Sequence, residues 1–239
     1  MKRGWQVIIG LSATTFVAGG AIATPHALRS MESFEVRRVE VRGTRYLAPH
    51  EALRASGITR ASNVFQDYSA WRSALERLAL VDSVVIEREL PGTLRLTIAE
   101  AEPIALLART ELQALNVEGE LLPIDPTRVD LDLPVISASE VDEDTRSALR
   151  TLAAIKKAEP AMYGWVSDVE PMGTGIRVRL RSPVGAEALL PPNPGALQLR
   201  ELRLTLADLA ARQEISRLVR IDARYRDHIV VRLSRTAAL

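Results

Sequence analysis

The chain has 239 residues, 47% of them hydrophobic, which is enough apolar material for more than one core and, at about 100 to 200 residues per domain, for one or two domains. Its 31 basic and 30 acidic residues leave a formal net charge of +1, so no overall field draws nucleic acid to its surface. Cysteine is absent; this excludes disulfides, thiol catalysis and cysteine metal sites, and leaves the compartment open. Apart from Lys2, Lys156 and Lys157 the basic residues are all arginine, scattered singly along the predicted elements. Such a scatter reads as compositional bias.

Residues 4–28 carry no Lys, Arg, Asp or Glu, and about 20 helical residues span a hydrocarbon core of about 30 Å. A transmembrane helix is predicted over residues 5–25, after a short tail of residues 1–4. Lys2 and Arg3 precede it, so the positive-inside bias puts that tail in the cytoplasm and the bulk of the chain outside, in single-pass type II orientation. Trp5 falls at the cytoplasmic interface. A cleaved signal peptide is the competing reading, since Ala21-Ile-Ala23 has the small-x-small form of a cleavage site and predicts a mature start at Thr24. The apolar run is longer than the usual signal core, which favours an uncleaved anchor.

Val39 and Val41 alternate with charged neighbours in Arg38-Val-Glu-Val-Arg-Gly43, predicting a strand. Pro49 and Gly57 bracket a short helix. Tyr68, Trp71, Leu75 and Leu78 recur at three- and four-residue steps after Asp67, a helix cap, and Trp71 belongs to the core. Then Val84 and Ile86 alternate with Val85 and Glu87, and Leu94, Leu96 and Ile98 alternate with Arg95, Thr97 and Ala99, on either side of Leu90-Pro-Gly-Thr. That is a hairpin. The order strand, helix, helix, strand, strand over residues 34–102, with Val39-Glu-Val-Arg-Gly43, Asn63-Val-Phe65 and Arg88-Glu-Leu-Pro-Gly-Thr-Leu94, resembles the POTRA domain, a small α/β module that receives other polypeptides.

Residues 103–235 predict a mixed, β-rich domain with two helices. Strands are expected at 104–107, 112–117 and 121–122, the last two joined by the Glu118-Gly119-Glu120 turn, and at 135–136 after a polar connector. Asp142, Glu143 and Asp144 open a helix that ends near Glu159 behind Lys156 and Lys157, a charge order that suits the helix dipole. Strands at 166–169, 176–180 and 188–190 follow. Leu199, Leu202, Leu206 and Leu209 then form a helical stripe. The chain closes on strands at 218–225 and 228–233 around a turn at Arg226-Asp227.

The whole arrangement is α+β: an N-terminal transmembrane helix, a POTRA module of order β-α-α-β-β, and a β domain. Together with Glu102-Pro-Ile-Ala105, Leu133-Pro-Val135, Ile221-Asp-Ala-Arg-Tyr225 and Ile229-Val-Val-Arg232, it resembles the FtsQ/DivIB family of bacterial division proteins over nearly its full length. Asn116, where an acid is common in the family, and Ser137, where glycine is, depart from the pattern. The resemblance implies a bitopic inner-membrane protein of the division septum. It implies no enzyme and no cofactor, but a scaffold of septal peptidoglycan synthesis whose β domain captures FtsB-like and FtsL-like single-pass coiled-coil proteins through its last strands. An edge strand offers unpaired N–H and C=O groups for such capture. Tyr225, Ile229, Val230, Val231 and Arg232 are the candidate contacts, and Arg38, Glu40 and Arg42 on the POTRA edge a second set. Tyr225 reads equally as an interface anchor or a core aromatic, the strand at 229–233 as ordinary sheet burial with only its edge functional, and the Arg38–Arg42 charges as a solvated face.

Catalytic and metal constellations are missing from the sequence. His26, His50 and His228 stand apart, and Asp125, Asp130 and Asp132 lack the glycine and the twelfth-position Glu of a calcium loop, so a solvated connector explains them. Gly173-Thr-Gly175 is a turn, too short for a phosphate loop, and no serine sits in a Gly-x-Ser-x-Gly elbow. A POTRA-bearing factor of outer-membrane protein assembly or secretion is the alternative function. That class usually continues into a barrel, for which the tail has too few aromatic girdle residues.

Overall fold

In the computed structural model, which describes residues 31–181 and 184–235, the chain separates into two units on either side of the Glu100–Ala101 bond, each folded around its own sheet. The anchor predicted over residues 5–25 and the cleavage site at Ala23 lie outside the described residues. Among those described, no helix is long and apolar enough to cross a membrane.

The first unit runs β1 (Arg38–Arg42), α1 (Pro49–Ser56), α2 (Ser69–Glu76), β2 (Val81–Glu89) and β3 (Thr93–Glu100), the order that the sequence predicts. Its sheet is ordered β1-β3-β2, with β1 parallel and β2 antiparallel to β3. Period-two burial builds it: Leu94, Leu96 and Ile98 lie inward opposite Arg88, Ile86 and Val84, while Val85 points to the solvated face. Pro49 sits in the first turn of α1 and Gly57 closes it in the left-handed region at φ 73°. One residue separates Asp67 from α2, yet its carboxylate accepts the Ser69 N–H at 3.1 Å and hydroxyl at 2.6 Å. Trp71 and Leu75 are buried. At the far end of β3 the Glu100 carboxylate accepts the backbone N–H groups of Tyr46 and Leu47, at 2.9 and 2.8 Å.

The second unit holds a nine-stranded sheet of β4 (Ala105–Ala108), β5 (Leu112–Leu115), β6 (Leu121–Leu122), β7 (Val135–Ile136), β8 (Val166–Met172), β9 (Gly175–Leu180), β10 (Glu187–Leu190), β11 (Leu218–Asp222) and β12 (Val230–Leu233), in the order β12-β11-β10-β9-β8-β7-β4-β5-β6. Of its parallel pairs, β4–β7 is joined through β5, β6 and the loop after them, while β7–β8 and β10–β11 are each connected through helices, the usual crossover between parallel neighbours. These helices are α3 (Glu143–Ala158), α4 (Pro160–Tyr163) and α5 (Ala196–Ala211). The sequence predicts two of them and misses α4, a single turn started by Pro160. Asp142 caps α3 by accepting the Thr145 N–H at 2.8 Å. Ala148, Leu149, Leu152 and Ile155 of α3, and all four leucines of the α5 stripe, pack with Val169, Ile176, Val178, Ala188, Leu190 and Ile221 in one core on a single face of the sheet. Burying each such leucine or isoleucine stabilises by about 2 kcal/mol.

Two local features explain sequence details. In the turn after β5 the side-chain oxygen of Asn116 accepts the Glu120 N–H at 2.8 Å, and its NH2 donates to the Glu120 carboxylate at 3.0 Å, so an amide does here what an acid alone could not. The Tyr163 hydroxyl, buried against the entry to the second unit, donates to the Ile104 carbonyl at 2.7 Å. Burial, and then the Glu102 and Asp132 carboxylates, push the phenol up, so the donor keeps its proton. Tyr163→Phe leaves that buried carbonyl without its partner and is expected to lower the stability of the second unit by about 1–3 kcal/mol, read as an earlier urea midpoint at unchanged slope; an unmoved midpoint would mean that the bond contributes nothing.

Candidate functional site

Leu218, Ile221 and Ala223 are buried, and they fix β11 against the core so that β12 pairs with it as the outermost strand. The register sets Asp222 opposite Val230, Ile221 opposite Val231, Arg220 opposite Arg232 and Leu218 opposite Leu233, with a bulge at Val219. Val231 and Leu233, with Ile229 just before the strand, lean on the core, while Val230 and Arg232 face outward. Among the described residues no strand lies beyond β12. Its outer backbone groups are therefore open to another chain.

The connection between β11 and β12 is held, rather than loose. The Gln198 side chain on α5 donates to the Ala223 carbonyl at 2.5 Å and to the Tyr225 carbonyl at 3.3 Å. Asp222 accepts two bonds from the Arg224 guanidinium, at 2.9 and 2.6 Å, and this holds its carboxyl below the usual carboxylate range. Strand β11 stops at Asp222, so Tyr225 sits in a bend outside the strand that the sequence predicts through 225. It is 47% exposed and stacks on His228 at 4.6 Å between ring centroids. Of the two readings of Tyr225, the core aromatic is thereby excluded.

Sequence reasoning misses a neighbouring set. Leu197 and Leu204, 69% and 49% exposed, lie seven residues apart on α5, off the buried stripe. Leu204, Glu201 and Thr205 line a shallow groove whose other wall is Asp227, His228 and Ile229. The signal was present, because a helix with a second apolar line beside its core stripe has more hydrophobic surface than one core consumes. The edge thus carries Val219, Val230 and Tyr225 together with an apolar helix face.

The predicted POTRA set is arranged otherwise. Strand β1 is an edge of the three-stranded sheet, and there Glu40 pairs with Arg42 at 3.0 Å and Arg95 at 3.7 Å, while Arg95 also pairs with Glu89. These charges neutralise one another on a solvated face, and Arg38 is exposed at the strand's start. The acids of the connector have other partners too: Asp125 accepts from Thr127 at 2.9 and 2.6 Å, and Asp132 pairs with Arg181 at 2.5 Å.

Residues 34–101 match the family model "POTRA domain, FtsQ-type". Cell division protein FtsQ of Myxococcus fulvus is 25% identical over 245 residues, covering 97% of this chain and 85% of that protein. FtsQ of Corynebacterium glutamicum is 28% identical over 159 residues, 66% of this chain and 68% of its own length. The chain is thus similar to cell division protein FtsQ along nearly its whole length, and its residues 34–101 form a POTRA domain of the FtsQ type. FtsQ of Geotalea daltonii is 24% identical over 160 residues, 66% of this chain and 58% of that protein. The extracytoplasmic domain of DivIB from Geobacillus stearothermophilus aligns with a TM-score of 0.34 and 19% identity, over 47% of this chain and 97% of that one. The first unit is therefore the POTRA module, and the open β12 edge belongs to the region that follows it.

Proposed function

We propose that this chain is a non-enzymatic scaffold of the bacterial divisome, held in the inner membrane by residues 5–25 with residues 1–4 in the cytoplasm, and that its β domain, residues 103–235, captures FtsB-like and FtsL-like coiled-coil proteins by strand addition at β12. The POTRA module, residues 34–102, serves membrane-proximal recruitment. One observation carries the reading: β12 closes a nine-stranded sheet on an open edge, flanked by exposed Val230, Tyr225 and the outer leucines of α5. Main-chain bonds along such an edge supply affinity and the flanking side chains supply choice. The cell-division names of the relatives weigh against the outer-membrane assembly alternative.

The test is a pull-down of tagged full-length protein from detergent-solubilised membranes, with co-purifying proteins identified by mass spectrometry. Small single-pass coiled-coil proteins with a septal synthase are the expected recovery. Barrel proteins of the outer membrane, or a soluble protein starting at Thr24, would overturn it.

A further inference from the structure

On the face of the second sheet away from the helices, the side chains fall into rows that cross the strands, because facing residues on neighbouring strands lie about 4.5–5.5 Å apart. One row runs Asp168 on β8, Arg179 on β9, Glu187 on β10, Arg220 on β11 and Arg232 on β12, each directly opposite the next. Its signs alternate through four strands: Arg179 reaches Asp168 at 3.6 Å, and Arg220 reaches Glu187 at 2.8 Å. The guanidinium of Arg220, with Arg177 and Arg179 beside it, holds the Glu187 carboxyl below its ordinary range. At β12 the alternation breaks. Arg232 stands opposite a like charge that is already paired, and among the described residues it has no carboxylate partner. A parallel row runs Glu170, Arg177, Leu189, Asp222 and Val230, and ends on an exposed apolar side chain.

We infer that the strand added to β12 carries an acidic residue facing Arg232 and, two positions along the same face, an apolar residue facing Val230. This rests on the strand-addition reading proposed above. An incoming acid extends the row's alternation and relieves the repulsion between Arg220 and Arg232, whereas an incoming Lys or Arg would make three cations in a line. Arg232 then selects among strands, since main-chain bonds alone accept any of them. The rival role is that of a guard, a charge that only discourages edge-to-edge pairing.

A charge swap separates these roles. Arg232→Glu keeps β12 folded, because Glu opposite Arg220 restores the alternation within the chain itself. With full-length protein in detergent and the co-purified FtsB-like partner, R232E is expected to weaken binding about tenfold and R232K to leave it within about twofold. Changing the partner's acidic residues to Lys one at a time should restore binding to R232E at a single position. Val230→Pro, in parallel, tests the edge itself. Loss of capture by V230P with undiminished binding by R232E would leave strand addition standing and overturn the acidic-partner inference, as would a loss in R232E that no partner Lys repairs. Undiminished capture by V230P would overturn the strand-addition reading and, with it, this one.

Discussion

Val230→Pro is expected to abolish capture of the FtsB-like partner while both units stay folded. Val230 is the first residue of an edge strand, where proline is tolerated by the strand's own sheet. The Val230 N–H faces β11, on the same side as the Ser234 N–H that donates to the Arg217 carbonyl, so the rigid ring displaces the start of β12 and with it the outward main-chain groups that an incoming strand must meet. At about 1 kcal/mol for each main-chain bond in net terms, losing two or three together costs about a hundredfold in affinity. Val230→Glu, which keeps the donor and adds a charge beside Asp222, should weaken capture for a different reason. Titration calorimetry on purified full-length variants reads the affinity, and an unchanged melting profile checks the fold. Binding at the wild-type level by both variants would place the partner site elsewhere.

Gly43→Ala is expected to unfold the POTRA module and spare the second unit. Gly43 ends the Val39-Glu-Val-Arg-Gly43 segment at φ 83°, and a Cβ there would lie 2.2 Å from the Ile98 carbonyl oxygen. The left-handed conformation costs an alanine about 1–2 kcal/mol. The overlap adds more, because the obstacle is the backbone of β3 and has no rotamer through which to yield. A module of this size holds only about 3–10 kcal/mol of stability, so the change consumes most of it. Hydrogen exchange resolved by segment should show protection lost across β1, β2 and β3 and kept in β8 to β11. Full protection of β3 in the variant would refute the steric account.

How much of this was legible in the sequence depended on the range of the interaction concerned. The β2–β3 hairpin, the Pro49–Gly57 bracket of α1 and the four-leucine stripe of α5 are local patterns, and each forms as its pattern predicts. Helix α4 was illegible, since one turn is too short to show a period. Tyr225 stayed open because exposure depends on where β11 stops, and that is set by Asp222 turning to bind Arg224 rather than by any repeat. The arginines mislead most. Read along the chain they look like compositional scatter; read across the sheet, Arg179 and Arg220 alternate with Asp168 and Glu187, an order that three separate strand registers create and no window of sequence contains.

The second sheet has two ends of unequal kind. At the end opposite β12 it finishes in β6, a pair of residues, Leu121–Leu122. So short a strand has almost no ladder to offer, and this is a common way of blunting an edge. Growth at one end only has a consequence for stoichiometry: a strand laid on β12 terminates the series, and no copy can relay the addition through its own far side. Fibre formation by sheet extension, the ordinary hazard of an open edge, is thereby denied a second point of attachment.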